Sequence, residues 1–274
     1  MPGNNLNSTR IKPQTSELIT LRVLRRERLS PHFARVTFGG GDIKNFVPMG
    51  FDQWFRLFLP IAADSLTRLP DRLTALGFAK YLTISKTSRP VLRNYSVRAY
   101  RADGPEGPEI DVDFVLHGTA ADGTAGPAAT WAETCEPGDS AAIIDEGIGF
   151  NPPSGTRRVV LVSEESGLPA LAGILASLPG DTLGHALIEI PSAEDRQVLR
   201  APEGVEVTWL VREDHTAAPG ARALAAACAL PVPQEPFFGW VVGESALATG
   251  LRRHWVRSGV PKEQIMFCGY WRKR

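Results

Sequence analysis

From residue 156 onward the chain alternates short apolar runs with helical patterns, and few folds accept that order. Residues 157–162 form a continuous apolar strand, followed by a helix over about 167–178 that stops at Pro179-Gly180. Strands at 185–190 and 205–211 come next, then a helix at 221–229, a strand at 237–242, a helix at 245–258 and a strand at 264–270. Strands alternating with helices imply a parallel sheet covered on both faces. Such a sheet binds ligands at the carboxyl ends of its strands. Here the first such end reads Ser163-Glu164-Glu165-Ser166-Gly167-Leu168-Pro169-Ala170, which is not GxGxxG. The glutamates satisfy the helix dipole from within and repel a pyrophosphate. NADH or NADPH is therefore expected here only weakly or through other contacts.

The preceding half has a different rhythm. Short strands are expected at 18–28, 33–38, 53–60, 94–100, 109–117 and 140–144, punctuated by Gly39-Gly40-Gly41, by Pro60, by the turns of 103–108 and by Pro137-Gly138-Asp139. A short helix fits residues 71–77. In the fifth strand Ile110, Val112, Phe114 and Leu116 point one way, and Asp111, Asp113, Val115 and His117 the other. Many short strands with little helix suggest a small antiparallel barrel. Pro152-Pro153-Ser154-Gly155 is the expected linker. The domains are then a disordered tail over 1–17, a barrel over 18–151 and an α/β unit over 156–274.

Two features of the barrel half suit an anion. The first is the window 72–102, which carries Arg72, Lys80, Lys86, Arg89, Arg93, Arg98 and Arg101 and no acidic residue. At its centre lies Arg93-Asn94-Tyr95-Ser96-Val97-Arg98, a strand offering cations, a phenol and a hydroxyl. Taken alone it reads equally as an edge strand with solvated arginines. The second is the glycine-rich run from Gly123 into Gly126-Pro127-Ala128, with Trp131 following. Pro127 suits the first turn of a helix, and no acid occupies that turn, so its free N–H groups can receive a pyrophosphate.

Composition excludes several functions. Lys+Arg and Asp+Glu both number 30, so no global charge recruits nucleic acid or membrane. Cys135, Cys228 and Cys268 are far apart without CxxC, which argues against disulfides, zinc and iron–sulfur clusters and suits a reducing cytoplasm. No metal site is expected. No HExxH or GxSxG occurs, no apolar run reaches 18 residues, and the polar start lacks a signal-peptide core.

The ordered set of motifs resembles the ferredoxin-NADP reductase superfamily, and within it the siderophore-interacting proteins, or ferric-siderophore reductases. The matching pieces are Asp52-Gln53-Trp54-Phe55-Arg56-Leu57-Phe58, Arg93 to Arg98, Asp111-Val112-Asp113-Phe114-Val115-Leu116-His117-Gly118, Gly126-Pro127-Ala128 with Trp131-Ala132, Pro137-Gly138-Asp139, Leu168-Pro169-Ala170 and Gly269-Tyr270-Trp271-Arg272. The resemblance implies a Greek-key FAD-binding barrel followed by a parallel-sheet, NAD(P)H-binding-like domain, with FAD held non-covalently between the two. It implies that Arg93 neutralises the pyrophosphate, Tyr95 stacks on the isoalloxazine and Ser96 bonds near N5, with Asn94 and Val97 in the same strand. Asp113, Val115 and His117 would contact flavin and ribityl groups, and Gly126, Pro127, Ala128 and Trp131 the phosphate side. Catalysis is electron transfer through FAD, with no catalytic side chain. The donor is NADH, NADPH or a reduced ferredoxin, and the substrate is a ferric siderophore. Lys80, Lys86, Arg89, Arg98, Arg101, Tyr270 and Trp271 are the candidate substrate contacts. A cytoplasmic monomer is expected. The rival readings are a general NAD(P)H-dependent flavin or quinone reductase and a non-enzymatic flavin-containing ferric-chelate carrier. The sequence departs from the family at Glu164-Glu165-Ser166-Gly167, where Asp-Glu-Thr-Ala is common, in the extended loop 119–125, and at Asp145 to Phe150, which lacks the usual arginine.

Overall fold

The computed structural model describes residues 3–62, 64–118, 125–214 and 216–273. The chain divides into two compact units. One comprises Lys12–Met49 and Gln53–Gly147; the other runs from Ile148 onward and includes Gly50–Asp52 and the segment through Ile11. Within that segment α1 (Leu6–Thr9) is a single turn. Within the segment expected as a tail, Asn4 bridges Cys268, and Ile11 bridges Ile148. Asn5 Nδ2 donates to the Ile265 carbonyl at 2.7 Å, and its Oδ1 accepts the Phe267 N–H at 2.9 Å. One amide side chain thus satisfies both kinds of backbone group along an open strand.

The first unit is an antiparallel barrel. Its elements are β1 (Leu18–Ser30), β2 (Phe33–Gly39), β3 (Trp54–Leu59), α2 (Ala75–Thr83), β4 (Val91–Ser96), β5 (Ala99–Gly104), β6 (Gly107–Val115), α3 (Pro127–Thr134) and β7 (Ser140–Gly147). The strands pair in the order β4-β3-β7-β1-β2-β6-β5. The two edge strands are successive in the chain, where one strand over 94–100 was expected. Between them the Val97 N–H donates to the Gln53 carbonyl at 2.8 Å and the Arg98 N–H to the Asp111 carbonyl at 2.9 Å. Adjacent residues therefore bond to opposite edges of the sheet, and the strand must break there for the chain to span the opening. The helix expected at 71–77 forms at Ala75–Thr83 instead, because Thr74 caps it and accepts the Gly77 N–H at 3.1 Å.

Inside the barrel Ile110, Val112 and Phe114 pack with Phe38, Phe55 and Leu57. The opposite face of β6 is buried too. Glu109 receives both Arg25 nitrogens at 3.0 and 2.7 Å, and Arg101 reaches Glu109 and Asp111 together. Arg35 forks onto Asp113 at 2.7 and 2.9 Å. Guanidinium stems cover the strand while their heads neutralise it.

The second unit is a parallel sheet with helices. It contains β8 (Arg158–Ser163), α4 (Leu168–Ser177), β9 (Leu183–Ile190), β10 (Val205–Val211), α5 (Ala221–Ala229), β11 (Phe238–Glu244), α6 (Ser245–Arg257) and β12 (Ile265–Trp271), ordered β10-β9-β8-β11-β12. Val160, Val162 and Val241 meet Ala223, Leu247 and Trp255 of α5 and α6. Gly184 has φ +140°, and a Cβ there would stand 1.9 Å from the Val159 carbonyl oxygen, so only glycine fits this strand start. Buried Asp52 ties its loop to this unit: its carboxylate accepts the Gly149 and Phe150 N–H groups at 2.9 and 2.8 Å and Trp240 Nε1 at 3.2 Å. Among the described residues no helix is long and apolar enough to cross a membrane.

Candidate functional site

Pairing of β3 with β4 sets which side chains of the central stretch share a face. Tyr95 lies opposite Phe55 and Arg93 opposite Leu57, whereas Asn94 lies opposite Arg56 and Ser96 opposite Trp54. Arg93 and Tyr95 therefore share one face, and Asn94 and Ser96 the other. The Tyr95 ring stands 4.4 Å from Phe114, Phe114 stands 6.1 Å from Trp131, and Trp131 stacks on Phe38 at 6.0 Å. This chain of rings joins β4 to α3, the helix that begins at the Gly126-Pro127-Ala128 turn. Burial, opposed by nearby Arg93, raises the Tyr95 phenol well above its ordinary value and keeps the ring neutral. Trp131 acts within this packing.

Among the described residues nothing caps the amino end of α3. Gly126 makes no side-chain cap, Pro127 holds the first turn, and no acid lies in it. A Cβ on Gly126 would meet His117 Nε2 at 3.7 Å, which brings His117 to the same turn. Val115 ends β6 just before it. The extended loop lies outside the described residues, except for Ala125.

Seven cations of the window 72–102 meet different fates. Arg72 pairs with Glu17, and Arg101 with Glu109 and Asp111. Arg98 Nε lies 3.4 Å from Asp113, whose fully buried carboxylate is already forked by Arg35. Asp113 thus engages two arginines of its own unit instead of facing outward. Arg89 folds onto the Leu82 and Ile84 carbonyls and lies 5.7 Å from the Tyr81 ring centroid, closing the end of α2. Lys80, Lys86 and Arg93 have no carboxylate partner among the described residues; Arg93 bonds only the Leu92 carbonyl, at 2.8 Å. The acids that engage Arg72, Arg98 and Arg101 come from Glu17 and β6, distant in sequence and adjacent in space.

In the α/β unit the carboxyl strand ends carry acids that are already engaged. Glu164 is buried, accepts the Ser166 N–H at 2.7 Å and receives Trp271 Nε1 at 3.0 Å. Burial, with Glu165 beside it, pushes its carboxyl up. Arg212 lies between Glu165 and Glu189, and Glu189 also accepts the Gly220 and Ala223 N–H groups at 2.9 Å each. Tyr270 remains 40% exposed. The Glu164–Trp271 contact escaped sequence reasoning; a buried-type tryptophan at the end of the last strand, opposite a non-GxGxxG acidic turn, was the available signal.

Residues 22–148 match the siderophore-interacting FAD-binding domain, and residues 156–274 the siderophore-interacting protein domain. The chain belongs to the siderophore-interacting protein family. It is 30% identical over 262 residues to the ferric vibriobactin reductase ViuB of Vibrio cholerae, covering 92% of this chain and 89% of that protein. It is 25% identical over 254 residues to the NADPH-dependent ferric-chelate reductase of Escherichia coli, covering 92% and 91%. A siderophore utilization protein from T. fusca superposes with a TM-score of 0.75 at 29% identity, covering 96% of each chain. FAD is the cofactor of the family's barrel domain, and the residues present fit it. Among the described residues Arg93 has no carboxylate partner, the first turn of α3 carries no acid and no side-chain cap from Gly126, and Tyr95 offers a half-buried ring. Trp54 Nε1, in the strand position opposite Ser96, is a buried donor with no acceptor among the described residues.

Proposed function

We propose that this chain is an FAD-dependent reductase that takes Fe(III) in a siderophore complex to Fe(II) and so releases iron in the cytoplasm. The observation that carries it is the joining, through Tyr95, Phe114 and Trp131, of the Arg93 strand to an acid-free helix start. ViuB and the Escherichia coli relative are ferric-chelate reductases by name, which supports the same chemistry here.

FAD, when bound, supplies the electron; oxygen donors hold Fe(III) much more tightly than Fe(II), so reduction loosens the metal. The chain's own residues bind and orient. Arg93 and the first-turn N–H groups of α3 would hold the pyrophosphate, with Gly126, Pro127 and Ala128 forming the turn and His117 beside it. Tyr95 would cover the isoalloxazine, and Ser96 would bond its N5 edge, between Asn94 and Val97. Lys80 and Lys86 would attract an anionic chelate, while Tyr270 would contact it from the carboxyl edge of its own sheet. The FAD-binding unit is placed at 18–151 and the NAD(P)H-binding-like unit at 156–274. NADH, NADPH and reduced ferredoxin are the candidate donors.

The test is anaerobic. Purified protein should show a flavin absorption spectrum, be reduced by one of the three donors, and be reoxidised by a ferric siderophore with appearance of Fe(II). Reduction by NADPH with reoxidation only by quinones would support a general reductase. A photoreduced flavin that passes electrons to no chelate would leave a carrier.

A further inference from the structure

Helix α2 presents the wrong side to water. Only Gly77 and Tyr81 of its nine residues are buried. At 3.6 residues per turn Phe78, Leu82, Ala75, Ala79 and Leu76, with Thr83 between the last two, lie along the solvent side over about 160°. Leu76 is 84% exposed, Leu82 47% and Phe78 40%. Lys80 closes one margin of this arc, and Lys86 follows the helix's end; both are exposed, with no carboxylate partner among the described residues. The turn before the helix carries one acid, exposed Asp71, and Arg72 beside it is paired with Glu17 from the start of the barrel. From Arg72 to Ala102 the sequence contains no other counter-charge.

We propose that α2 is a docking face for an anionic phospholipid bilayer, with Leu76, Phe78 and Leu82 entering the headgroup–acyl boundary and Lys80 and Lys86 meeting the phosphates. An apolar arc rimmed by lysines is the pattern of an interfacial helix. Charge selects this occupant over a second copy of the chain. A two-fold contact would place the same patch against itself, bringing Lys80 and Lys86 of both copies together with no acid in the patch to neutralise them. Attachment is peripheral, because α2 has nine residues and a span needs about 20. The inference does not require the proposed redox reaction, since it rests on α2 and on Lys86 just beyond it; bound to a bilayer, Lys80 and Lys86 would meet phosphates in place of the chelate assigned to them above.

The test is co-sedimentation of the FAD-loaded protein with vesicles of phosphatidylcholine, alone or mixed three to one with phosphatidylglycerol. Each lysine should contribute about fivefold in partition onto the anionic vesicles, so these should bind at least about tenfold more protein than neutral ones, and less at high salt. The variant Leu76→Ser/Leu82→Ser changes exposed positions. It should keep its circular dichroism and flavin content and lose about tenfold or more of vesicle binding. Equal binding to the two vesicle types, or undiminished binding by the variant, overturns the proposal. So does a concentration-dependent dimer in sedimentation velocity that this variant abolishes, which would make the face a self-association surface.

Discussion

Arg93 and Arg101 lie eight residues apart in one acid-free window, yet removing them should damage different properties. Arg93 is exposed and, among the described residues, bonds only the neighbouring Leu92 carbonyl, so its guanidinium adds little to the stability of the unliganded barrel. Arg101 makes four bonds, two to Glu109 and two to Asp111, at 2.6–3.0 Å. A charge-assisted bond to a phosphate is worth about 1.5–3 kcal/mol, and exposure places Arg93 at the low end. Arg93→Ala should therefore weaken FAD binding about ten- to thirtyfold while leaving urea unfolding of the apoprotein within about 0.5 kcal/mol of wild type. Arg101→Met keeps the stem and removes the head. It leaves buried Asp111 with Thr37 alone, at 2.7 Å, and should cost about 2–4 kcal/mol, discounted because Arg101 is 37% exposed. The pH dependence adds a sign. Burial raises the Asp111 carboxyl, but the bonds from Arg101 and Thr37 outweigh it and hold the group below its ordinary value. Its contribution is thus present above the unfolded value of about 3.9 and lost as pH falls through the folded value, so the deficit of the methionine variant should shrink below about pH 4. Flavin fluorescence titration and urea unfolding from pH 3 to 7 measure both. If Arg101→Met weakened FAD more than Arg93→Ala and left stability unchanged, the division of the window into engaged and open cations would be wrong.

Two further outcomes are expected. Burial, opposed by bonds from the Gly147 N–H and Gln53, pushes the Asp145 carboxyl up to about 6. The native state then binds its proton more tightly than the unfolded chain, so this site lowers stability as pH rises from about 4 to 6, by up to about 3 kcal/mol. Asp145→Asn should flatten that segment of the profile, with a constant offset for the altered Gln53 bond; an unchanged slope sinks the assignment. Asn5→Ala strips the Ile265 carbonyl and Phe267 N–H of their side-chain partner and should cost about 1–2 kcal/mol in urea unfolding, whereas a disordered tail would give no change.

The alternation of strands and helices after residue 156 carried the parallel sheet almost to the residue: the strand expected at 157–162 forms at Arg158–Ser163, and the helix expected at 221–229 forms there. Periodicity sufficed because each element buries its own apolar face locally. The barrel was legible as a class but not at its corner. Nothing in the run from Asn94 to Tyr100 shows that Val97 must bond Gln53 while Arg98 bonds Asp111, since both partners are set by closure of the sheet. The arginines failed for a related reason. Charge read along the chain shows no acid between residues 72 and 102, but β6 delivers three carboxylates from Glu109, Asp111 and Asp113 to its outer face. The period-two pattern of that strand did show which face they occupy; it could not show that guanidinium stems would bury it.

The two units handle negative charge in opposite ways, each by the chemistry of its strand ends. In the barrel, among the described residues, Arg93 has no carboxylate partner and the first turn of α3 carries no acid. In the α/β unit the equivalent positions are filled from within. Glu164 receives the Ser166 N–H and the Trp271 indole, Glu189 the two amides beside α5, and Glu244 the Ala246 N–H that opens α6. Each carboxylate accepts backbone N–H groups at a strand end or helix start, and Arg212 is shared by Glu165 and Glu189. A dinucleotide donor arriving at this edge gains little from helix termini. It must be recognised through its base, ribose or nicotinamide, so donor affinity should depend far less on salt than FAD affinity does.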